Sequence, residues 1–207
     1  TSVQKQAKER LEQKWQAKCF SYLGNTILIM QLKNDNDVSE LTDECDRFCK
    51  YVHRMIGAVV TVGIGQVCED ILDLSKSYAG AREAVSYRVI YGASKAINMK
   101  EIIPQKVDRS SSSDDMELSN LLKAIRIGLE EEIIQAVDQY LGHISFPSKS
   151  LHQHHIDLME LISVLYRFSA NNDIEVEEFL GDIRELYSSL LELEPDALRN
   201  WLIDSCF

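Results

Sequence analysis

The stretch Cys19-Phe20-Ser21-Tyr22-Leu23-Gly24-Asn25-Thr26-Ile27-Leu28-Ile29-Met30-Gln31-Leu32 decides the fold. Cys19 to Tyr22 and Ile27 to Leu32 are apolar, β-prone runs. Gly24-Asn25 between them is strong turn chemistry, so the stretch predicts two strands joined by a tight loop. A second β-prone run, Ala58 to Gly65, is β-branched and ends on Gly63-Ile64-Gly65. Val38 to Met55, between the two, has helical spacing. Beyond Gly65, Ser77 to Arg88 is amphipathic and offers Ala81, Ala84, Val85 and Tyr87 to a sheet, with Ser77 as its cap. Lys95 to Met99 reads as a short extended piece. The resulting order is strand, turn, strand, helix, strand, helix, strand.

Upstream, Val3 to Gln16 contains neither Gly nor Pro and sets Ala7, Leu11 and Trp15 four apart, which predicts a helix with one narrow apolar stripe. Asn34-Asp35-Asn36-Asp37 has a superficial likeness to a calcium loop. It lacks the spacing, central glycine and closing glutamate of an EF-hand, so helix capping by Asp37 or Ser39 is the reading. Gly63-Ile64-Gly65 has no third glycine and no Lys-Ser or Lys-Thr, which speaks against a phosphate loop and for a strand that meets a close neighbour.

Pro104 to Asp115, with four consecutive serines and flanking charge, reads as a linker between a first domain at 1–103 and a helical domain at 116–207. From Met116 on, apolar residues recur at helical spacing. Leu118, Leu121, Leu122, Ile125 and Ile127 precede Gly128, and Ile133, Ile134, Val137, Tyr140 and Leu141 precede Gly142, as in two antiparallel helices. Phe146-Pro147 marks a turn, and Ser148 or Ser150 caps a helix to about Ala170. His152, His154 and His155 stand at its start, two and three residues apart; that spacing does not converge on a metal, so they read as solvated. Val176 to Leu191 and Asp196 to Cys206 complete about five helices, with Pro195 in the first turn of the last.

Composition narrows the function. The chain of 207 residues carries 33 acidic and 22 basic residues, a formal net charge of −11, and a sequence pI near 4.9. Phosphate recognition depends on Lys and Arg, so the excess works against direct nucleic-acid binding. No apolar run approaches twenty residues and the N-terminal stretch has no leader pattern, so neither a membrane span nor a signal peptide is expected. Five scattered cysteines, Cys19, Cys45, Cys49, Cys68 and Cys206, fit a reducing, cytoplasmic setting better than a disulfide framework. Cys45 and Cys49 fall on one helix face and read as small buried apolar residues rather than as metal ligands.

The element order and the hairpin together resemble the second half of the nucleotide-cyclase fold in GGDEF-type domains. There the hairpin reads Arg-Tyr-Gly-Gly-Asp-Glu-Phe; here Ser21-Tyr22-Leu23-Gly24-Asn25-Thr26-Ile27 keeps the tyrosine and one glycine. Val62-Gly63-Ile64-Gly65 is similar to the family's later strand, and Ala84 to Gly92 to its last helix. The resemblance implies an α+β fold, a partial antiparallel cyclase-type sheet with helices whose first strand has no counterpart in the chain, followed by an all-α bundle. A cyclase holds divalent metal and triphosphate with carboxylates. Asn25 and Thr26 stand where the family has Asp and Glu, so Gly24, Asn25 and Thr26 form a vestigial loop, with no catalytic residue, cofactor or metal ligand expected.

Degenerate GGDEF-like domains followed by helices resemble the middle of AraC-type transcriptional regulators, and Asp196 to Cys206 is similar to the helix that precedes their DNA-binding part. The resemblance implies a non-catalytic, cytoplasmic, homodimeric region that transmits a signal to a DNA-binding domain absent from this chain. The other function considered is a small-molecule or nucleotide sensor that uses the vestigial pocket.

Overall fold

Leu23 and Gly24 close the hairpin. In the computed structural model, which describes residues 2–34, 37–102, 111–144, 150–175 and 180–207, β1 (Lys18–Tyr22) and β2 (Asn25–Ile29) pair antiparallel, Tyr22 opposite Asn25 and Phe20 opposite Ile27. The loop is two residues long, with φ of 47° at Leu23 and 79° at Gly24. Positive φ at both central residues is what a two-residue loop of type I′ requires, because its twist matches that of the strands. The corner thus falls one residue earlier than Gly24-Asn25 suggested, and Asn25 and Thr26 belong to a strand. The pairing of Cys19 with Leu28 accompanies this register, and both face the core.

The chain divides into two compact units: residues 1–85 with 93–102, and residues 86–92 with 103–207. In the first, a helical run precedes the hairpin: α1 (Ser2–Ala7), a π-helical stretch (Lys8–Glu12) and α2 (Gln13–Trp15). The π segment suits the stripe of the sequence. Residues four apart drift about 40° round an ordinary α-helix at each step, and a wider i→i+5 turn takes that drift back. Ala7 and Leu11 are accordingly buried, and Trp15 packs on the same cluster. α3 (Asp37–Ile56) buries Val38, Leu41, Cys45, Phe48, Cys49 and Val52, an apolar face at helical spacing that meets Leu11 and Cys19.

The second β-run is shorter than its composition suggested. β3 (Val62–Ile64) is confined to three residues and pairs in parallel with β4 (Ala96–Asn98). The expected single antiparallel sheet is therefore two separate pairs among the described residues, one antiparallel and one parallel. Parallel direction follows from the helical crossover between β3 and β4, since a helix returns the chain to the end from which it started. The crossover opens with a 3-10 turn (Ile71–Asp73), which Asp70 caps by accepting the N–H of Leu72. It continues as α4 (Leu74–Ser86), breaks at Tyr87, and resumes as α5 (Arg88–Tyr91). Ser77 lies inside α4 rather than at its cap.

The glycines of β3 seat this helix. A Cβ on Gly63 would run into the backbone carbonyl of Ala81 and the side chain of Val85, and one on Gly65 into the backbone carbonyl of Ser77. Close approach of a neighbour is the reason for both residues. β4 is pinned on its other side: buried Asn98 donates from Nδ2 to Thr42 Oγ1 at 3.1 Å and accepts the Lys100 N–H at 3.0 Å.

In the second unit, α6 (Ser111–Ile127) and α7 (Glu130–Ile144) are joined by Gly128-Leu129, with Gly128 at φ 73°. α6 begins inside the stretch read as linker; residues 104–110 of that stretch lie outside the described residues. Gly142 is within α7 and does not end it. α8 (Leu151–Asn171) is capped by Ser150, which accepts the Gln153 N–H at 3.2 Å. α9 (Ile183–Leu190) and α10 (Pro195–Asp204), with Pro195 in its first turn, follow. The turn read at Phe146-Pro147 and the start of the helix read from Val176 lie outside the described residues. Leu121, Val137, Leu158, Leu161, Leu165, Leu198 and Leu202 are among the side chains of one shared core.

Replacing Gly63 by Ala places an atom against helix backbone, which cannot swing aside. We expect Gly63→Ala to destabilise the first unit by about 1–3 kcal/mol, read as a lower urea midpoint for a probe in that unit.

Candidate functional site

The hairpin corner holds Gly24, Asn25 and Thr26, the residues singled out in the sequence, and its side chains come from β1, the loop and β2. Asn25 is exposed, and its Nδ2 donates to the Leu23 carbonyl at 3.3 Å, so the amide steadies its own turn. Thr26 is half-buried opposite Ser21, and Ser21 Oγ donates to Gln4 Oε1 at 3.2 Å. Leu23 stands 73% exposed at the tip. From Gln13 to Asn34 the sequence contains no Asp or Glu, and the nearest upstream carboxylate, Glu12, accepts the backbone N–H of Cys19 at 3.3 Å.

This donor set does not fit a metal-bound triphosphate. Mg²⁺ prefers anionic oxygens in near-octahedral geometry, and the corner supplies an amide, hydroxyls and an apolar tip. Among the described residues no group of three His, Cys, Asp or Glu is gathered as a metal would need. What the corner does make is an aromatic contact. Tyr22 meets Tyr78 of α4 edge-on, ring centroids 5.8 Å apart at 71°, and the Arg82 guanidinium lies 6.0 Å from the Tyr78 ring. Such pairs add roughly 0.5–1.5 kcal/mol beyond their area. The tie of Tyr78 and Arg82 to the hairpin needs the crossover between β3 and β4 to bring α4 there.

The other singled-out residues are placed as follows. Asp37 does not cap α3 forward. Its Oδ2 reaches back to accept the N–H groups of Lys33 and Asn34 at 2.8 and 3.1 Å, and these two bonds hold its carboxyl below the usual range. Cys45 and Cys49 share the buried face of α3, and burial pushes both thiols up to about 12. Burial likewise raises Cys206, to about 11. The three histidines are not equivalent. His152 is exposed, but His154 is fully buried, with Nδ1 3.4 Å from the Ile144 carbonyl. The reading of solvated histidines is corrected at this residue: His154 lies one turn before Leu158, so the stripe Leu158, Leu161 and Leu165 extends back through it. His155 is half-buried, and desolvation, with His152 adding a little, lowers its pKa.

The first unit is thus an α+β domain with a carboxylate-free hairpin. A family model described as a GGDEF-like domain matches residues 1–87, so the helical run before the hairpin is part of the domain and the match ends where α4 breaks. No curated protein and no solved structure matches the chain. Among the described residues, no helix is long and apolar enough to cross a membrane.

Two outcomes follow. In native protein at pH 8, Cys45 and Cys49 should resist iodoacetamide while denatured protein is alkylated at all five cysteines, as peptide mass mapping reports. Asp37 has a folded pKa below its unfolded value of about 3.9, so its contribution to stability is complete above that value and is lost as pH falls through the folded pKa. Asp37→Asn should therefore flatten the acid limb of stability against pH, measured by urea midpoints between pH 5 and pH 2.

Proposed function

We propose that this chain is a non-catalytic signal-transmission region, homodimeric in its working form, of an AraC-type transcriptional regulator, passing the state of an input domain to a DNA-binding domain outside this chain. The observation that carries the reading is the neutral corner: a domain similar to GGDEF-type domains whose hairpin bears Asn25 and Thr26 and no carboxylate from Gln13 to Asn34. Loss of the ligands that chemistry needs, with the scaffold kept, leaves conformational work as the use of the domain. The assignment to an AraC-type regulator rests on domain order: a degenerate domain of this kind followed by a run of amphipathic helices.

Charge supports the same reading. Of 22 basic and 33 acidic residues, 13 of each lie in the first unit, leaving 9 and 20 for the second. The whole excess of 11 acidic residues is therefore in the helical unit, which repels phosphate backbones and leaves DNA contact to another part of the protein.

With GTP and Mg²⁺ or Mn²⁺, the protein should form no cyclic product by chromatography, and titration calorimetry with GTP, ATP or cyclic dinucleotides should give no binding heat. A cyclic product would overturn the reading in favour of an enzyme. Saturable heat without turnover would favour a nucleotide sensor instead.

A further inference from the structure

Each strand pair of the first unit has one edge closed and one edge open. In the hairpin, Tyr22 and Asn25 flank a two-residue loop and therefore exchange both backbone hydrogen bonds. The antiparallel alternation repeats this at Phe20 with Ile27 and at Lys18 with Ile29. The backbone groups of Cys19 and Ser21 thus point outward from β1, and those of Thr26 and Leu28 outward from β2. The β1 side is closed by the helical run before the hairpin: Cys19 N–H donates to Glu12 Oε1 at 3.3 Å, and Ser21 Oγ to Gln4 Oε1.

The parallel pair repeats the pattern. Val62 N–H donates to the Lys95 carbonyl at 3.0 Å, and Met99 N–H to the Ile64 carbonyl at 2.9 Å. Val62 and Ile64 are therefore bonded towards β4, and the backbone of Gly63 points the other way. The outer side of β4 is closed by α3, where Asp46 Oδ1 accepts the Ala96 N–H at 3.4 Å. Among the described residues, no strand pairs with the outer side of β2 or of β3.

The two open edges lie over one core. Leu28 of β2, with Met30 and Leu32 beyond it, and Val62 and Ile64 of β3 all pack on the cluster that holds Leu41, Cys45, Phe48 and Val52 of α3. All five remain only partly buried, so the core is incompletely covered where the edges are open. Neither Asn25 to Leu32 nor Ala58 to Gly65 contains a charged residue or a proline, the usual means by which an exposed edge is blunted.

We propose that the open edges of β2 and β3 are a docking site for one extended strand of a partner polypeptide. Thr26, Leu28 and Gly63 offer the main-chain groups, and alternate side chains of the incoming strand cover Leu28, Met30, Val62 and Ile64. Those side chains are apolar, since neither edge carries a charge with which a buried one could pair. A second copy of this chain is the poorer occupant, because among the described residues each of its four strands already has a partner. The inference goes beyond the transmission reading and does not rest on it.

The experiment is hydrogen exchange on the full 207-residue chain, read at the amides of Thr26, Leu28 and Gly63. The probe is a peptide of about seven residues, alternating Val and Thr, the length of one strand. At saturation it should slow these amides by at least about ten-fold. Its twin, N-methylated at alternate residues, keeps the apolar face but loses the ladder and should leave them unchanged. Thr26→Pro removes an edge donor outside the hairpin's own ladder and should weaken the peptide's effect on Leu28; should that variant not fold, the methylated twin carries the comparison. The proposal is overturned if the peptide changes nothing or if its twin protects equally. It is also overturned if the three amides are already as slow as that of Ile27 in dilute chain alone, which makes this chain its own occupant. Protection that grows with protein concentration in the absence of peptide overturns it in favour of a second copy. None of these results bears on the nucleotide assays.

Discussion

The first unit depends on backbone meeting backbone at Gly63 and Gly65. β3 has three residues and a single strand partner among the described residues, too little hydrogen bonding to hold a strand in place alone. What holds it is the helix pressed on it, and the approach is possible because two positions carry no side chain. With α4 seated, its crossover delivers β4 parallel to β3, and Asn98 and the Ala96 N–H then reach Thr42 and Asp46 of α3. The same seating brings Tyr78 to Tyr22 of the hairpin. Strand, helix and hairpin are in this sense consequences of one close contact.

The hairpin shows a different economy. A two-residue loop needs only two positive φ values and a register, and both are present without any carboxylate. The hairpin's shape thus needs no charged side chain at its corner. The hairpin also has a structural use: Cys19 and Leu28 on one face complete the core with Leu41, Cys45 and Phe48. Hydrophobic burial on this face maintains the hairpin whatever residues stand at its corner.

The helical unit is stabilised by its leucine-rich core and carries all the net negative charge. Its surface ion pairs are few among the described residues; the best formed joins Arg199 of α10 to Asp138 of α7, bidentate at 2.5 and 3.0 Å. Exposed pairs of this kind contribute little to stability, but two parallel hydrogen bonds fix an orientation. α10 is thus oriented by α7 on one side and meets α5 on another.

Much of this was legible in the sequence. Apolar, β-prone runs flanking Gly24, the stripe Ala7, Leu11 and Trp15, the buried pair Cys45 and Cys49, a serine cap at 148 or 150 and Pro195 in a first turn are all local, and local chemistry decides them. The neutral corner was equally plain, since it is a matter of residue identity. Other features were decided by contacts between residues far apart in the chain: the parallel pairing of β3 with β4, the single-residue shift of the hairpin corner, the buried place of His154 and the tie between Tyr22 and Tyr78. Membership of Ser86–Gly92 in the second unit is the sharpest case, because its Tyr, Val and Ile suit burial on any apolar surface. Propensity and periodicity state which side chains will be buried; only the assembled tertiary structure, by bringing distant surfaces together, determines against what.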